Sequence, residues 1–156
     1  MIDDISDIAA FYNNAPEDEH CRLEQHQLEY DLTWRYLKQH LPSHGSILEV
    51  GAATGRYTLE LAKLGYTLTA VDLSATLLEE CRKSIAAEGL EGQVRLVVGD
   101  ARDLGEVAER GFDAVLLMGP LYHLIEEADR KAALKQAFER LREDGILFSS
   151  FISRFG

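Results

Sequence analysis

The residues best placed to do chemistry in this sequence are carboxylates that close short apolar runs. Glu49 stands near the end of Ser46–Val50 and leads directly into the turn Gly51-Ala52-Ala53-Thr54-Gly55. In a strand covered on both faces, an ionised Glu is costly unless something positive meets it. A cationic ligand lying across the turn meets that need. Asp72 closes the next apolar run, about twenty positions beyond Gly51, where a carboxylate accepts from both hydroxyls of a ribose. Asp100 closes a third run, where a carboxylate can accept from an adenine amino group. Each Asp could instead be a turn or capping residue, common at strand ends. At this joint register the three acids favour an adenosine ligand.

The glycine turn separates the candidate ligands. A nicotinamide site uses G-x-G-x-x-G, whose second Gly lets the backbone approach a pyrophosphate at a helix N-terminus. Here the run contains no G-x-G pair, and Glu49 would repel an anionic pyrophosphate. S-adenosyl-L-methionine carries a sulfonium and an ammonium and no phosphate, so a carboxylate beneath a short glycine turn suits it better. An NAD-dependent oxidoreductase is the less favoured alternative.

Positioning these acids requires alternating strands and helices. Residues 19–41 keep Leu23, Tyr30, Trp34, Leu37 and Leu41 on one helical stripe, and a shorter helix is expected before Pro16. Strands are then expected at 46–50, 67–72, 93–98, 112–118 and 145–152. Helices are expected at 56–64, after the N-cap Ser74, and at 127–142, with a helical turn at 104–109. The helix after Ser74 buries Leu77, Leu78, Cys81 and Ile85; the last one buries Leu134, Ala137, Phe138 and Leu141. Strands in β-α series with apolar sequences imply an α/β fold, a doubly wound, mainly parallel five-stranded sheet in order 3-2-1-4-5. Helices cover both faces, residues 1–44 form an N-terminal helical lid, and residues 45–156 form the ligand-binding core of one domain. In such sheets ligands bind at the carboxyl ends of the strands, near the reversal of strand order.

Glu49-Val50-Gly51-Ala52-Ala53-Thr54-Gly55 resembles motif I of the class I S-adenosylmethionine-dependent methyltransferases, [D/E]-x-G-x-G-x-G. Asp72 matches that family's acidic residue after strand two, and Gly99-Asp100-Ala101 its adenine-contacting motif. Phe112-Asp113-Ala114-Val115 through Met118-Gly119-Pro120-Leu121-Tyr122-His123-Leu124 is similar to its strand-four motif, and Leu141-Arg142-Glu143-Asp144-Gly145-Ile146-Leu147 to its approach to strand five. The resemblance implies methyl transfer from S-adenosyl-L-methionine, with S-adenosyl-L-homocysteine as product. It also implies a cofactor site built from Glu49, Gly51, Ala52, Ala53, Thr54, Gly55, Tyr57, Asp72, Leu73, Asp100, Ala101, Arg102, Met118 and Gly119. In similar proteins N-terminal helices fold over the cofactor, so Tyr12 is expected to cover the site and Arg22 to pair with the methionine carboxylate, unless their helix is merely a solvated amphipathic one. His123, with Tyr122 beside it, is the candidate general base on an acceptor O–H or N–H; the alternative is a histidine packed at a helix start.

Two departures from the family pattern stand out. Ala53 replaces the middle glycine of motif I, and the sequence stops soon after strand five, where the family usually adds strands six and seven. A cofactor-binding module without turnover is therefore the second reading. The apolar fifth strand is expected to be an edge, open to pairing with another copy of the chain.

Composition bounds the partners. Sixteen Lys and Arg against 27 Asp and Glu give a net charge of -11, which disfavours nucleic acid and anionic membranes. A small-molecule acceptor is expected instead. Cys21 and Cys81 are isolated, none of the five histidines shows ligand spacing, and no metal site is expected. Residues 1–10 carry three Asp and no basic residue, unlike a signal peptide, so a cytoplasmic location is expected.

Overall fold

The computed structural model describes Ala10 and residues 27–152. Helix α1 (Gln27–His40) turns Trp34 and Leu37 inward, with Tyr30 and Leu41 half-buried beside them. The rest alternates: β1 (Ser46–Val50), α2 (Arg56–Lys63), β2 (Thr67–Asp72), α3 (Ala75–Ala87), β3 (Val94–Val98), β4 (Phe112–Leu117), α4 (Pro120–His123), α5 (Glu127–Arg140) and β5 (Leu141–Ser149). Tyr12, Arg22, Leu23 and the expected first helix lie outside the described residues, Ala10 excepted.

Every strand pairing is parallel, and the order is β3-β2-β1-β4-β5. The order reverses between β1 and β4, so their carboxyl ends flank the crevice expected of such sheets. Alternate residues of each strand serve opposite layers. Leu48, Val50, Val115 and Leu117 pack with Leu121 of α4, Leu124 just after it, and Ala133 and Ala137 of α5. Ile47, Ala114 and Leu116 pack on the other face with Trp34, Leu37, Leu61 and Ala62 from α1 and α2. Glu49 shares the parity of Ile47 and so faces the α2 side. The N-cap reading holds: Ser74 Oγ accepts from Leu77 N–H at 3.1 Å, and Leu77, Leu78, Cys81 and Ile85 are all buried.

Three local expectations are corrected. The connection over 104–109 contains one hydrogen-bonded turn, Val107 N–H to Leu104 O at 2.9 Å, and no helix. Arg140, 4 % exposed, reaches across from the end of α5 and donates to Leu104 O at 2.6 Å and Val107 O at 3.3 Å, fixing the loop from outside. Phe138 is 72 % exposed, because Ala133 and Ala137 bring α5 close to the sheet and Phe138 lies about 100° further round. β5 begins at Leu141 and ends at Ser149: Phe112 pairs with Leu141 but Ala114 with Ile146, so the bulge falls on Arg142–Gly145, where Asp144 has φ 61°. The short helix α4, not among the expected elements, opens on Pro120, whose fixed φ suits a first helical position.

Candidate functional site

A cleft opens at the carboxyl ends of β1, β2 and β4, and its floor is the turn after β1. Gly51 N–H and Ala52 N–H both donate to Val71 O, at 2.8 and 3.0 Å, bending the chain away from β1 over β2. Gly51 has φ 83°, and a Cβ there would lie 2.7 Å from Pro120 Cδ, so α4 packs directly on the turn. Ala53 is left-handed, with φ 50°. Gly55, φ 85°, begins α2 against Cys81. The motif's last glycine is therefore a packing residue between α2 and α3.

Glu49 lies under this turn and is 3 % exposed. Thr58 Oγ1, from the first turn of α2, donates to Glu49 Oε2 at 2.5 Å. Burial pushes the Glu49 carboxyl up to about 8, the nearby Asp72 charge adding to that and Thr58 opposing it. Asp72 caps the opposite side: Oδ2 accepts from Ala53 N–H at 2.8 Å and Oδ1 from Ser74 N–H at 2.9 Å. It is thus a turn-holding Asp whose carboxylate also lines the cleft.

Asp100 lines the cleft wall beside Gly99 and Ala101. Its Oδ1 accepts from Arg102 N–H at 2.9 Å, and Oδ2 from Arg102 Nη2 at 2.8 Å and Nε at 3.0 Å. Met118, Gly119, Tyr122 and His123 close the side under β4, with the Tyr122 and His123 rings 4.8 Å apart. Ser150, just past β5, also lines the cleft, and its Oγ is buried with no hydrogen-bond partner among the described residues.

Of the expected site residues, Glu49, Gly51, Ala52, Ala53, Tyr57, Asp72, Leu73, Asp100, Ala101, Met118, Gly119, Tyr122 and His123 all line this one cleft. Thr54, Gly55 and Arg102 do not line it. Sequence reasoning missed the contribution of α1, which places Glu29, Tyr30 and Thr33 on the cleft at helical spacing. Tyr30 was expected as packing alone; its ring lies 5.5 Å from Tyr57 in a stacked pair and carries the Arg56 guanidinium at 3.9 Å. Thr33 and Tyr57 both line the cleft, and burial pushes the Tyr57 phenol upward. The helical spacing of Glu29 and Thr33 about Tyr30 is the signal that could have found them. Arg56 and Ser150 gave no local signal at all. Among the described residues, no three His, Cys, Asp or Glu side chains converge to hold a metal ion, and no helix is long and apolar enough to cross a membrane.

Comparison with known proteins agrees with this geometry. The sequence profile of a methyltransferase domain matches residues 47–145. The chain is 30 % identical over 122 residues to a glycine/sarcosine N-methyltransferase of Parasynechococcus marenigrum, covering 78 % of this chain and 42 % of that protein. It is 26 % identical over 136 residues to the tRNA 5-carboxymethoxyuridine methyltransferase of Escherichia coli, covering 83 % of this chain and 50 % of the other. The chain thus spans about half the length of the curated relatives it matches. Among solved structures, the glycopeptide N-methyltransferase MtfA complexed with S-adenosyl-L-methionine superposes with a TM-score of 0.63 at 29 % identity, over 72 % of this chain and 50 % of that one.

Proposed function

The chain belongs to the class I, Rossmann-like, S-adenosylmethionine-dependent methyltransferases, and on that premise we propose that it methylates a small-molecule acceptor. The observation that carries the proposal is the charge of the cleft. Glu29, Glu49, Asp72 and Asp100 line it, against Arg56 and His123 as the basic lining residues among those described. Such a lining suits a sulfonium, an ammonium and a neutral or cationic acceptor, and disfavours a phosphate backbone.

The residues present fit the cofactor. The buried Glu49 carboxyl, with Thr58 as its hydroxyl partner, is the seat for the ligand's positive end. Asp72 retains acceptor capacity for ribose hydroxyls beyond its two backbone donors, and Asp100 faces the adenine end. Arg56, at the start of α2 and held over Tyr30, is a further candidate partner for the amino-acid carboxylate, alongside the expected Arg22, which lies outside the described residues. What the bound donor supplies is an electrophilic methyl group on sulfur. The chain's part is to position the acceptor, exclude water with α1 and α4, and give His123 or Tyr122 as the group that takes the acceptor's proton.

Calorimetric titration with S-adenosyl-L-methionine, S-adenosyl-L-homocysteine and NAD tests the cofactor. The first two are expected to bind, and binding of NAD alone would overturn the reading. Transfer of a labelled methyl group to a panel of small amines, alcohols and acids, run beside bulk tRNA, tests the acceptor. Label appearing in RNA, with none in the small acceptors, removes the small-molecule proposal; binding without label in any acceptor supports the module that does not turn over. Self-association is the remaining proposal: among the described residues β5 pairs only with β4, and its free edge is expected to give a mass above monomer in light scattering.

A further inference from the structure

Arg102 sits between two carboxylates and is not among the residues that line the cleft. Nε and Nη2 grip Asp100 Oδ2 at 3.0 and 2.8 Å, while Nη1 reaches Asp129 Oδ2 at 2.9 Å in the first turn of α5. The Arg102 backbone N–H takes Asp100 Oδ1 at 2.9 Å. Asp100 is therefore held from two directions by one residue that is not itself part of the cleft lining. A carboxylate has about four lone-pair directions, and Arg102 engages both oxygens, its Nε reaching Oδ1 at 3.3 Å as well, so the plane of the carboxylate is set. The directions left over are fixed in space by a planar fork that is anchored at its far end by Asp129.

We propose that Arg102 is a positioning residue for adenine recognition: it sets the Asp100 carboxylate at the angle that accepts the adenine amino group. The inference rests on the cofactor reading above. A carboxylate on a short side chain at a strand end rotates freely unless it is gripped, and a freely rotating acceptor gives little discrimination between an amino group and a carbonyl. The fork removes that freedom before the ligand arrives, so binding need not supply the ordering. The link to Asp129 also ties the adenine wall to α5, the helix that follows the acceptor-side residues Tyr122 and His123. Geometry, more than charge, is the requirement, because an ammonium can satisfy two acids electrostatically but cannot present parallel N–H donors.

The test compares S-adenosylhomocysteine with its 6-oxo analogue, S-inosylhomocysteine, by calorimetric titration of the full chain. Wild type is expected to prefer the adenosyl ligand by tenfold or more, the weight of one hydrogen bond to a charged group. Arg102→Gln is expected to lose most of that preference by weakening the adenosyl ligand alone. Arg102→Lys keeps the charge between Asp100 and Asp129 and is expected to melt as wild type does, yet to lose the preference as well. Asp129→Asn, which does not touch Asp100, is expected to shift the ratio in the same direction by about threefold, the smaller loss of an indirect, part-exposed contact. An unchanged ratio in both Arg102 variants, with the two ligands weakening together, makes Arg102 a mere brace and overturns the proposal. Failure of wild type to bind S-adenosylhomocysteine is a different result, and overturns the cofactor reading itself.

Discussion

Thr58 Oγ1 lies 2.5 Å from Glu49 Oε2, joining the first turn of α2 to the end of β1 inside a region closed to solvent. A hydroxyl can donate to a carboxylate or accept from a carboxylic acid, so this contact serves both protonation states of Glu49 without rearrangement. Glu49 can thus be neutral before a cation arrives and negative once it has bound.

A pH dependence follows, with a definite sign. The folded-state pKa of Glu49, about 8, lies above that of an unfolded chain, so its protonation stabilises the ligand-free fold fully below the unfolded value. That contribution is lost as pH rises through about 8. A cationic ligand instead prefers the carboxylate. Affinity for S-adenosylmethionine is expected to rise about tenfold between the near-neutral range and the alkaline side of that pKa, with proton release on binding below it. Calorimetry in two buffers of different ionisation enthalpy checks this. Glu49→Gln is expected to flatten the pH profile, weaken binding, and raise the melting temperature of the ligand-free protein above the pKa.

Asp72 has two duties, and substitution separates them. It holds Ala53 N–H and Ser74 N–H, and it lines the ribose side of the cleft. Asp72→Ala is expected to weaken S-adenosylhomocysteine binding by about 1–3 kcal/mol, the loss of a charged acceptor. Because the turn loosens as well, the ligand-free protein should also melt earlier. Affinity unchanged, with lowered melting, would assign Asp72 to the turn alone.

The strands of this fold were legible because each is a short apolar run closed by a turn residue, and β1 and β2 fall where the pattern put them. The acids at strand ends were legible for the same reason: parallel strands bring their carboxyl ends together whatever the intervening helices do. What was illegible depends on partners remote in sequence. The loop after β3 reads locally as a helical turn, but Arg140 takes its carbonyls from the end of α5. Phe138 reads as buried, but the small residues Ala133 and Ala137 decide which way α5 rolls. Tyr30 reads as core because nothing near it in sequence announces Arg56.

Ala53 bears on the stability of the binding turn. Its φ of 50° is a left-handed conformation that costs an L-residue about 1–2 kcal/mol, part of which glycine would return as unfolded-chain entropy. Ala53→Gly is expected to raise stability by about 0.5–1 kcal/mol in urea denaturation, leaving the Asp72 bond to the backbone intact. A loss of stability would mean that the Ala53 methyl packs favourably enough to outweigh its strain.

Gly55 offers the opposite experiment, in which both space and conformation are tight. A Cβ on Gly55 would lie 2.2 Å from Cys81 Sγ and 3.2 Å from Cys81 Cβ, and φ is 85°. Gly55→Ala is therefore expected to destabilise by about 2–4 kcal/mol, combining an overpacked contact with a left-handed alanine. Cys81 is 1 % exposed and its thiol is pushed up to about 12 by burial, so it acts here as an apolar filler. Cys81→Ala alone should cost about 1 kcal/mol for the small cavity. The double variant should recover the steric part and keep the conformational part, leaving a favourable coupling of about 1–2 kcal/mol in a double-mutant cycle. Simple additivity of the two single changes would show that α3 moves aside to admit the new methyl, and that backbone conformation alone fixes glycine at the start of α2.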